Sequence, residues 1–232
     1  MIEKGGYRPE YSPWVVLDHE WKELTEGYDL CCYTKGHTFF SAGESCEDVY
    51  LLSSGRVAMN FALERERIRT VVVLDRGCIF GNSEWQDMDG LFAATVMSDE
   101  AYVYCIPKQV ADEILNNNNK LIRQILIQSN RMNRILIKQL ELLNVRDAKK
   151  RVAFHLVNLA NQYYEIERTG DEEKKVLIFQ FTHQELSEAA CLSREAVSKV
   201  LSQFTKEGIL KRWTKHRYIV LDEEALERAA II

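Results

Sequence analysis

The spacing of apolar residues changes along the chain and divides it into segments with different periods. In residues 28–107, short apolar runs alternate with glycine-centred turns, as in DVYLLSSGRVAMNFAL and IRTVVVLDRGCIFG. Closely spaced strands joined by such turns are typical of a β-sandwich or β-roll. We therefore predict an α+β protein whose first 120 residues contain an antiparallel β-roll of the cupin-like or jelly-roll kind, preceded by an N-terminal extension.

After residue 107 the apolar period becomes helical. KQVADEILNNNN predicts a short helix that ends in asparagines, which favour helix ends. Residues 121–144 then predict one long helix without proline or glycine. Its apolar residues recur mostly at helical spacings, at Ile122, Ile125, Leu126, Met132, Ile135, Leu136, Leu140 and Leu143.

A helix of this length with an apolar stripe either lies across its own domain or pairs with a copy of itself. A small β domain can cover only part of it. We therefore predict a homodimer formed through residues 121–145, with packing on the β-roll alone as the alternative. The domain junction is expected at residues 144–146, so that residues 146–232 form a further domain.

That C-terminal domain begins with an amphipathic helix in RDAKKRVAFHLVNLANQYY. A charged turn, ERTGDEEKK, and a short strand, VLIFQF, follow. Thr182 and Glu185 then form a capping-box pattern for a helix that starts at His183. Cys191 and Leu192 form a tight turn, and Ser193 can cap a second helix. The residues expected to face inward are Leu186, Ala190, Val197, Val200, Leu201 and Phe204.

Two short helices joined by a tight turn form a helix-turn-helix, whose second helix enters the DNA major groove. The outward face of this second helix carries Ser193, Arg194, Glu195, Ser198 and Lys199. Arginine and lysine suit guanine, and glutamate suits cytosine. The alternative is a solvated helix face with a weak ion pair. KRWTKHRYIVL predicts a β-hairpin wing, whose cations Lys211, Arg212, Lys215 and Arg217 could reach phosphates.

Charge supports a DNA-binding face only when it is divided along the chain. The net charge is −5, yet residues 146–220 carry +4, and residues 191–217 hold seven cations and two acids. No apolar run is long enough to span a bilayer, and the charged N-terminus is unlike a secretory signal. We expect a cytoplasmic protein without a membrane partner, with reduced cysteines and no cofactor or metal.

On these segments, and above all on LSREAVSKVLSQFTKEGIL, the chain resembles the Crp–Fnr family of bacterial transcription regulators over residues 28–222. The resemblance implies a cyclic-nucleotide-binding-type β-roll, a dimerisation helix and a winged helix-turn-helix. It also implies a homodimer on a palindromic DNA site, with RNA polymerase as a partner. The DNA-contacting positions of the family fall on Arg194, Glu195, Ser198 and Lys199. The last of these is usually arginine, so the half-site is not defined by the resemblance.

Residues 81–96, GNSEWQDMDGLFAATV, depart from the cyclic-nucleotide pattern. Members that bind cyclic nucleotides carry a glutamate for the ribose and an Arg-Ser pair for the cyclic phosphate. Here the glutamate position, directly after Gly81, holds Asn82, and the Arg-Ser pair is replaced by Phe92 and Ala93. On the long helix, the polar pair that would touch a purine corresponds to Leu136 and Ile137. Because a buried phosphodiester without its arginine is costly, we predict that cyclic AMP binds poorly or not at all.

The altered pocket suits a small hydrophobic or aromatic effector. Its expected residues are Gly81, Asn82, Trp85, Phe92, Ala93, Leu136 and Ile137, beside Phe80. Alternatively, these side chains fill the pocket as core, which would give an effector-independent regulator. A divergent cyclic-nucleotide site and a thiol switch at Cys31, Cys32 or Cys191 also stay open. Iron–sulfur and haem sensing are disfavoured by the cysteine and histidine spacing.

Two rival classes fit the residues less well. A stand-alone nucleotide-binding subunit would need the missing arginine and would not need residues 182–220. A β-roll enzyme would need clustered metal-binding histidines, whereas His19, His37, His155, His183 and His216 are dispersed. We therefore predict a DNA-binding regulator and not an enzyme.

Overall fold

The computed structural model describes residues 12–17, 21–44, 46–63, 67–81, 92–169, 172–177, 181–214 and 217–230. The chain separates into two compact units. The first unit is Pro13–Leu136, and the second consists mainly of Ile137–Ile232. The division falls inside the long helix, a few residues before the predicted junction at 144–146. It does so because residues such as Leu121, Ile125 and Ile135 belong to the apolar cores of the first unit.

The first unit is a two-sheet β-roll. Its strands are β1 Trp14–Val15, β2 Leu30–Thr34, β3 Thr38–Phe40, β4 Asp48–Ser54, β5 Val57–Leu63, β6 Arg67–Leu74, β7 Ile79–Gly81, β8 Ala93–Val96 and β9 Glu100–Pro107. One sheet has the order β1-β6-β5-β8-β3 and the other β2-β9-β4-β7. Among the strands described, every pairing is antiparallel except β1 with β6. The predicted α+β class and β-roll are confirmed.

Glycine turns let successive strands enter different sheets. β4 and β5, joined through Gly55, lie in opposite sheets, so their inward residues meet across the core. Gly77 has φ +78°, and a Cβ there would collide with the carbonyl of Leu17. The core between the sheets is therefore closed by turns that only glycine adopts without strain.

Among the described residues, three helices belong wholly or partly to this unit: α1 Lys22–Thr25, α2 Lys108–Asn116 and α3 Asn119–Leu143. The side chain of Asn118 caps α3 by accepting from the N–H groups of Lys120 and Leu121, at 3.1 and 3.3 Å. One seam of α3 is buried, at Leu121, Ile125, Gln128, Ile135, Gln139 and Leu142. Gln128 anchors it by bonding both the N–H and the C=O of Ile79, at 2.9 and 2.6 Å.

The second unit contains α4 Ala148–Gln162, β10 Tyr164–Thr169, β11 Glu172–Leu177, α5 His183–Ala190, α6 Arg194–Lys206, β12 Leu210–Arg212, β13 Tyr218–Val220 and α7 Glu223–Ala230. Its sheet has the order β10-β11-β13-β12. The prediction of a charged turn in ERTGDEEKK was wrong, because most of that run lies in β10 and β11. Their register sets Glu167 opposite Lys174 and Arg168 opposite Glu173.

No helix in the described ranges is both long and apolar enough to cross a membrane.

Candidate nucleic-acid interface and effector site

The helix-turn-helix begins with the capping box expected from the sequence. The N–H of Glu185 donates to Thr182 Oγ1 at 3.1 Å, and the N–H of Thr182 donates to Glu185 Oε2 at 2.7 Å. Cys191 ends α5 in the left-handed region, with φ 53°. Ser193 then caps α6, because its Oγ accepts from the N–H of Ala196 at 3.1 Å. Both helix starts and the turn therefore follow from local sequence.

The two helices pack through an apolar face. All six residues predicted to face inward are buried: Leu186, Ala190, Val197, Val200, Leu201 and Phe204. Their burial turns the opposite face of α6 outward. Arg194, Glu195 and Lys199 are exposed there, within the first two turns of the helix.

Electrostatics keep Glu195 ionised at this face. Hydrogen bonds from its own backbone N–H and then from the Ser193 hydroxyl lower the pKa of Glu195, and Arg194 adds to the effect. An ionised carboxylate only accepts hydrogen bonds. Among bases in the major groove, it suits the amino donor of cytosine.

Ser198 differs from its exposed neighbours because it is half-buried and bonded within the protein. Its Oγ lies 2.7 Å from His183 Nδ1, and His183 Nε2 lies 3.1 Å from the hydroxyl of Tyr218. The imidazole thus connects the first helix, the recognition helix and β13. Sequence reasoning missed His183 and Tyr218, since residues 15 and 35 positions apart carry no local spacing signal.

The predicted wing forms from β12 and β13. The N–H of Trp213 donates to the carbonyl of Arg217 at 3.0 Å, which links the two sides of the hairpin beyond the ends of the strands. Lys211 and Arg212 are exposed, whereas Arg217 is half-buried. Lys215 lies outside the described residues.

Five of the seven predicted effector residues lie within the described part of the chain. Phe92 and Leu136 are half-buried and pack against the same apolar core. Gly81 ends β7 with φ +97°, where a Cβ would meet the ring of Tyr50. Ala93 begins β8 and is half-buried. Ile137 is 67% exposed on α3, while Asn82 and Trp85 lie outside the described residues.

A cation opposite Phe61, whose ring contacts Phe92, was missed by sequence reasoning. Arg69 on β6 lies directly opposite Phe61 on β5, so the two side chains share a face of the sheet. The ring of Phe61 contacts that of Phe92 with centroids 6.3 Å apart. Arg69 Nε is buried and has no hydrogen-bond partner within the described part of the chain. The pairing of β5 with β6 sets this neighbourhood, and it cannot be read from spacing in the sequence.

The β-roll also contains a cavity of about 430 Å³ away from the predicted effector residues. It is lined in part by Trp21, Lys22, Arg76 and Tyr104. None of Gly81, Phe92, Ala93 and Leu136 borders it. The predicted effector site and this cavity are therefore separate features of the unit.

None of the six cysteines, all of which lie within the described residues, forms a disulfide. Cys31 and Cys32 are exposed and adjacent on β2, so successive side chains point to opposite faces. Cys191 is half-buried in the turn of the helix-turn-helix. Within the described residues, none of Cys31, Cys32 and Cys191 forms a disulfide.

Comparison with known proteins matches both units to family models. The cyclic nucleotide-binding domain matches residues 30–118, and the Crp-like helix-turn-helix domain matches residues 150–229. The chain is 26% identical over 186 residues to the cyclic AMP receptor protein of Thermus thermophilus, covering 77% of this chain and 78% of that protein. It is 24% identical over 209 residues to a CRP-like cAMP-activated global transcriptional regulator of Mycobacterium tuberculosis, covering 89% and 90%.

The fold is also found among solved structures. A mutant of CooA from Carboxydothermus hydrogenoformans superimposes with a TM-score of 0.76 at 19% identity. The match covers 94% of this chain and 98% of that one. At this identity the likeness concerns the fold.

Proposed function

Since the chain belongs to the Crp–Fnr family of transcription regulators, rather than to a family of enzymes, we propose that it binds a palindromic DNA site as a homodimer. One α6 helix then enters the major groove of each half-site. The observation that carries this proposal is the exposed, charged N-terminal face of α6 above a fully buried apolar face. RNA polymerase as a partner and a cytoplasmic location follow from the family and belong to the same proposal.

Base readout is assigned to Arg194, Glu195, Ser198 and Lys199, with Ser193 at the helix start. Arg194 and Lys199 donate to guanine, and the ionised Glu195 accepts from cytosine. Lys199 offers a point charge instead of the two-pronged guanidinium of arginine, so it discriminates less sharply at its base pair. Lys211, Lys215 and Arg217 of the wing contact phosphates and add affinity without sequence preference.

Selection of binding sites from a random DNA pool tests this assignment. The wild-type protein should select one inverted repeat, and Glu195→Ala should lose preference at one base pair of each half-site. Glu223→Ala on α7 removes the same charge away from α6 and should select the wild-type sequence. Unchanged preference at every position for Glu195→Ala would overturn the base readout proposed for α6.

Dimerisation through α3 is supported by a second apolar seam on that helix. It runs one position after the buried seam and includes the exposed residues Ile122, Leu126, Leu140 and Leu143. Leu126 and Leu140 are 56% and 63% exposed in the single chain. Asn133 interrupts this seam, as polar residues that select register do in coiled coils. A second copy on this seam would also cover Ile137, which is exposed in the single chain. Ile137 would therefore line an effector site only in the dimer.

We further propose that the effector is a small aromatic molecule rather than cyclic AMP. Phe61, Phe92 and Leu136 supply apolar contacts. The Nε of Arg69, which has no hydrogen-bond partner among the described residues, suits one anionic group such as a carboxylate. The names of two relatives refer to cyclic AMP, so a divergent cyclic-nucleotide site is the competing proposal. Phe92 and Ala93, which are apolar, favour the aromatic effector over the cyclic nucleotide.

Calorimetry with three probes distinguishes these proposals. Benzoate should bind the wild type more tightly than its neutral analogue benzamide, and Arg69→Ala should remove that difference. Micromolar binding of cyclic AMP would instead support the cyclic-nucleotide site. Binding of no probe would favour the alternative that the side chains simply fill the pocket.

A further inference from the structure

We infer that His183 and Tyr218 fix the hydrogen-bonding polarity of Ser198, so that Ser198 acts as a donor toward a base in the major groove. Tyr218 is then a specificity-determining residue that does not itself touch DNA. The inference rests on the proposed function, because it requires α6 to lie in the groove.

The geometry places three groups in one chain of hydrogen bonds. His183 Nδ1 lies 2.7 Å from Ser198 Oγ, and His183 Nε2 lies 3.1 Å from the Tyr218 hydroxyl. A neutral imidazole has one N–H donor and one lone pair. Which of the two nitrogens carries the proton is determined by the hydrogen bond that the other nitrogen makes. The Tyr218 hydroxyl and the Ser198 hydroxyl therefore compete for a single imidazole lone pair.

The phenol should win this competition. Donor strength follows acidity, and a phenol, with an ordinary pKa near 10, is far more acidic than an alkyl hydroxyl. The Tyr218 O–H thus donates to Nε2, the imidazole proton lies on Nδ1, and Nδ1–H donates to Ser198 Oγ. Since Oγ accepts from within the protein, the serine proton is left to point away from His183. A protonated imidazole, with two N–H donors, leaves Ser198 in the same state.

The surroundings of Tyr218 hold it in this role. Its ring is buried and stacks on Phe181 with centroids 5.7 Å apart and an interplanar angle of 14°. Burial raises the pKa of Tyr218, so the phenol keeps its proton at neutral pH. The hydroxyl therefore remains a donor whose position is fixed by the core of the second unit.

The consequence concerns which base edge Ser198 can read. A donor suits N7 or O6 of guanine, N7 of adenine or O4 of thymine, whereas a serine that only accepts would suit the amino groups of cytosine or adenine. Ser198 is half-buried, one turn after Arg194 on the exposed face of α6. We therefore expect it to favour a base that presents an acceptor.

Tyr218→Phe tests the inference because it removes only the hydroxyl and keeps the stacked ring. Ser198→Ala should weaken preference at one base pair of each half-site by about two- to tenfold, the range of a single hydrogen bond. Tyr218→Phe should weaken preference at that same base pair, since it removes the hydroxyl that favours a proton on Nδ1 of His183. Tyr102→Phe removes an exposed phenol from the β-roll and should leave the selected site unchanged.

The proton position can be measured without a variant that might unfold. The ¹⁵N shifts of the His183 ring in the wild-type protein, assigned by comparison with His183→Asn, should report a protonated Nδ1. A neutral ring protonated at Nε2 would overturn the inference, as would full retention of preference by Tyr218→Phe at the base pair that Ser198→Ala weakens. If the wild type selects no specific site, the proposed function itself fails, and that result is separate from the ring measurement.

Discussion

Arg151 Nη1 donates to the carbonyl oxygen of Cys191 at 3.1 Å, which joins α4 to the turn of the helix-turn-helix. The same guanidinium donates through Nε to the carbonyl of Val145, just before α4, at 2.6 Å. Carbonyls at helix ends lack partners within their own helix, so a side-chain donor satisfies them. Arg151 therefore bonds both the segment between α3 and α4 and the turn between α5 and α6.

Replacing Arg151 with alanine should destabilise the second unit. Hydrogen bonds from a charged donor contribute about 1.5 to 3 kcal/mol, and the half-burial of Arg151 places the decrease toward the lower end. Urea unfolding followed by circular dichroism measures the change. Arg151→Lys keeps the charge but not the planar fork, so its stability should fall between those of the wild type and the alanine variant. Equal stability of all three proteins would contradict the role of the fork.

Cys191→Gly should raise stability by up to about 1 kcal/mol, because glycine adopts the left-handed conformation at φ 53° without a Cβ penalty. Cys191→Val should lower it, since a β-branched residue is strained there. Thermal unfolding under reducing conditions compares them. The glycine variant also tests the thiol-switch alternative: if peroxide treatment abolishes DNA binding by the wild type but not by Cys191→Gly, Cys191 is a sensor.

Leu140→Glu should disrupt the dimer, because it sets a charge in the exposed apolar seam of α3. Burying an unpaired carboxylate costs several kcal/mol, so the dimer dissociation constant should rise by about 100-fold or more. Sedimentation velocity over a range of protein concentrations measures it. Lys120→Glu, at an exposed polar position near the start of the helix, should leave the constant unchanged. A dimer that persists in Leu140→Glu would exclude this seam as the interface.

Lys211→Ala should weaken binding to every DNA sequence by a similar factor. The slope of log affinity against log salt should also fall by about one for each phosphate that the lysine no longer neutralises. Titrations of specific and scrambled DNA between low and moderate salt provide both quantities. Lys120→Ala, a cation in the β-roll unit, serves as the control. A change confined to the specific site would mean that Lys211 reads a base instead.

Stability of the second unit should fall as the pH drops below 6.5. Burial lowers the pKa of His155 from 6.5 to about 3, and hydrogen bonding of the ring to the backbone carbonyl of Ala189 opposes the shift. The unfolded chain therefore binds a proton that the folded chain excludes between those two values. The cost is about 1.4 kcal/mol for each pH unit below 6.5. Denaturant unfolding at pH 7.5 and 5.0 should show a larger decrease in stability for the wild type than for His155→Gln, and equal decreases would contradict this account.

The helix-turn-helix could be predicted in detail because its signals are short-range. The Thr182–Glu185 capping box, the Ser193 cap and the helical spacing of Val197, Val200, Leu201 and Phe204 all lie within a few turns of one another. The strands of the β-roll were predictable from alternation and glycine turns for the same reason. The β10–β11 hairpin was not, since its charged residues imitate a loop until their pairing across the ladder is known.

Residues whose roles depend on strand pairing or helix packing needed the tertiary structure. In the sequence, Arg69 is an ordinary strand cation. The β5–β6 register sets it opposite Phe61, whose ring contacts that of Phe92. Ser198 looks like an exposed helix residue until packing brings His183 and Tyr218 to it. Local spacing was therefore sufficient for the helix-turn-helix, its caps, most strands of the β-roll and the family, but not for the β10–β11 hairpin. Contacts between distant segments determine which side chains surround Ser198 and Phe92. These partners depend on strand register and helix packing, which no short stretch of sequence encodes.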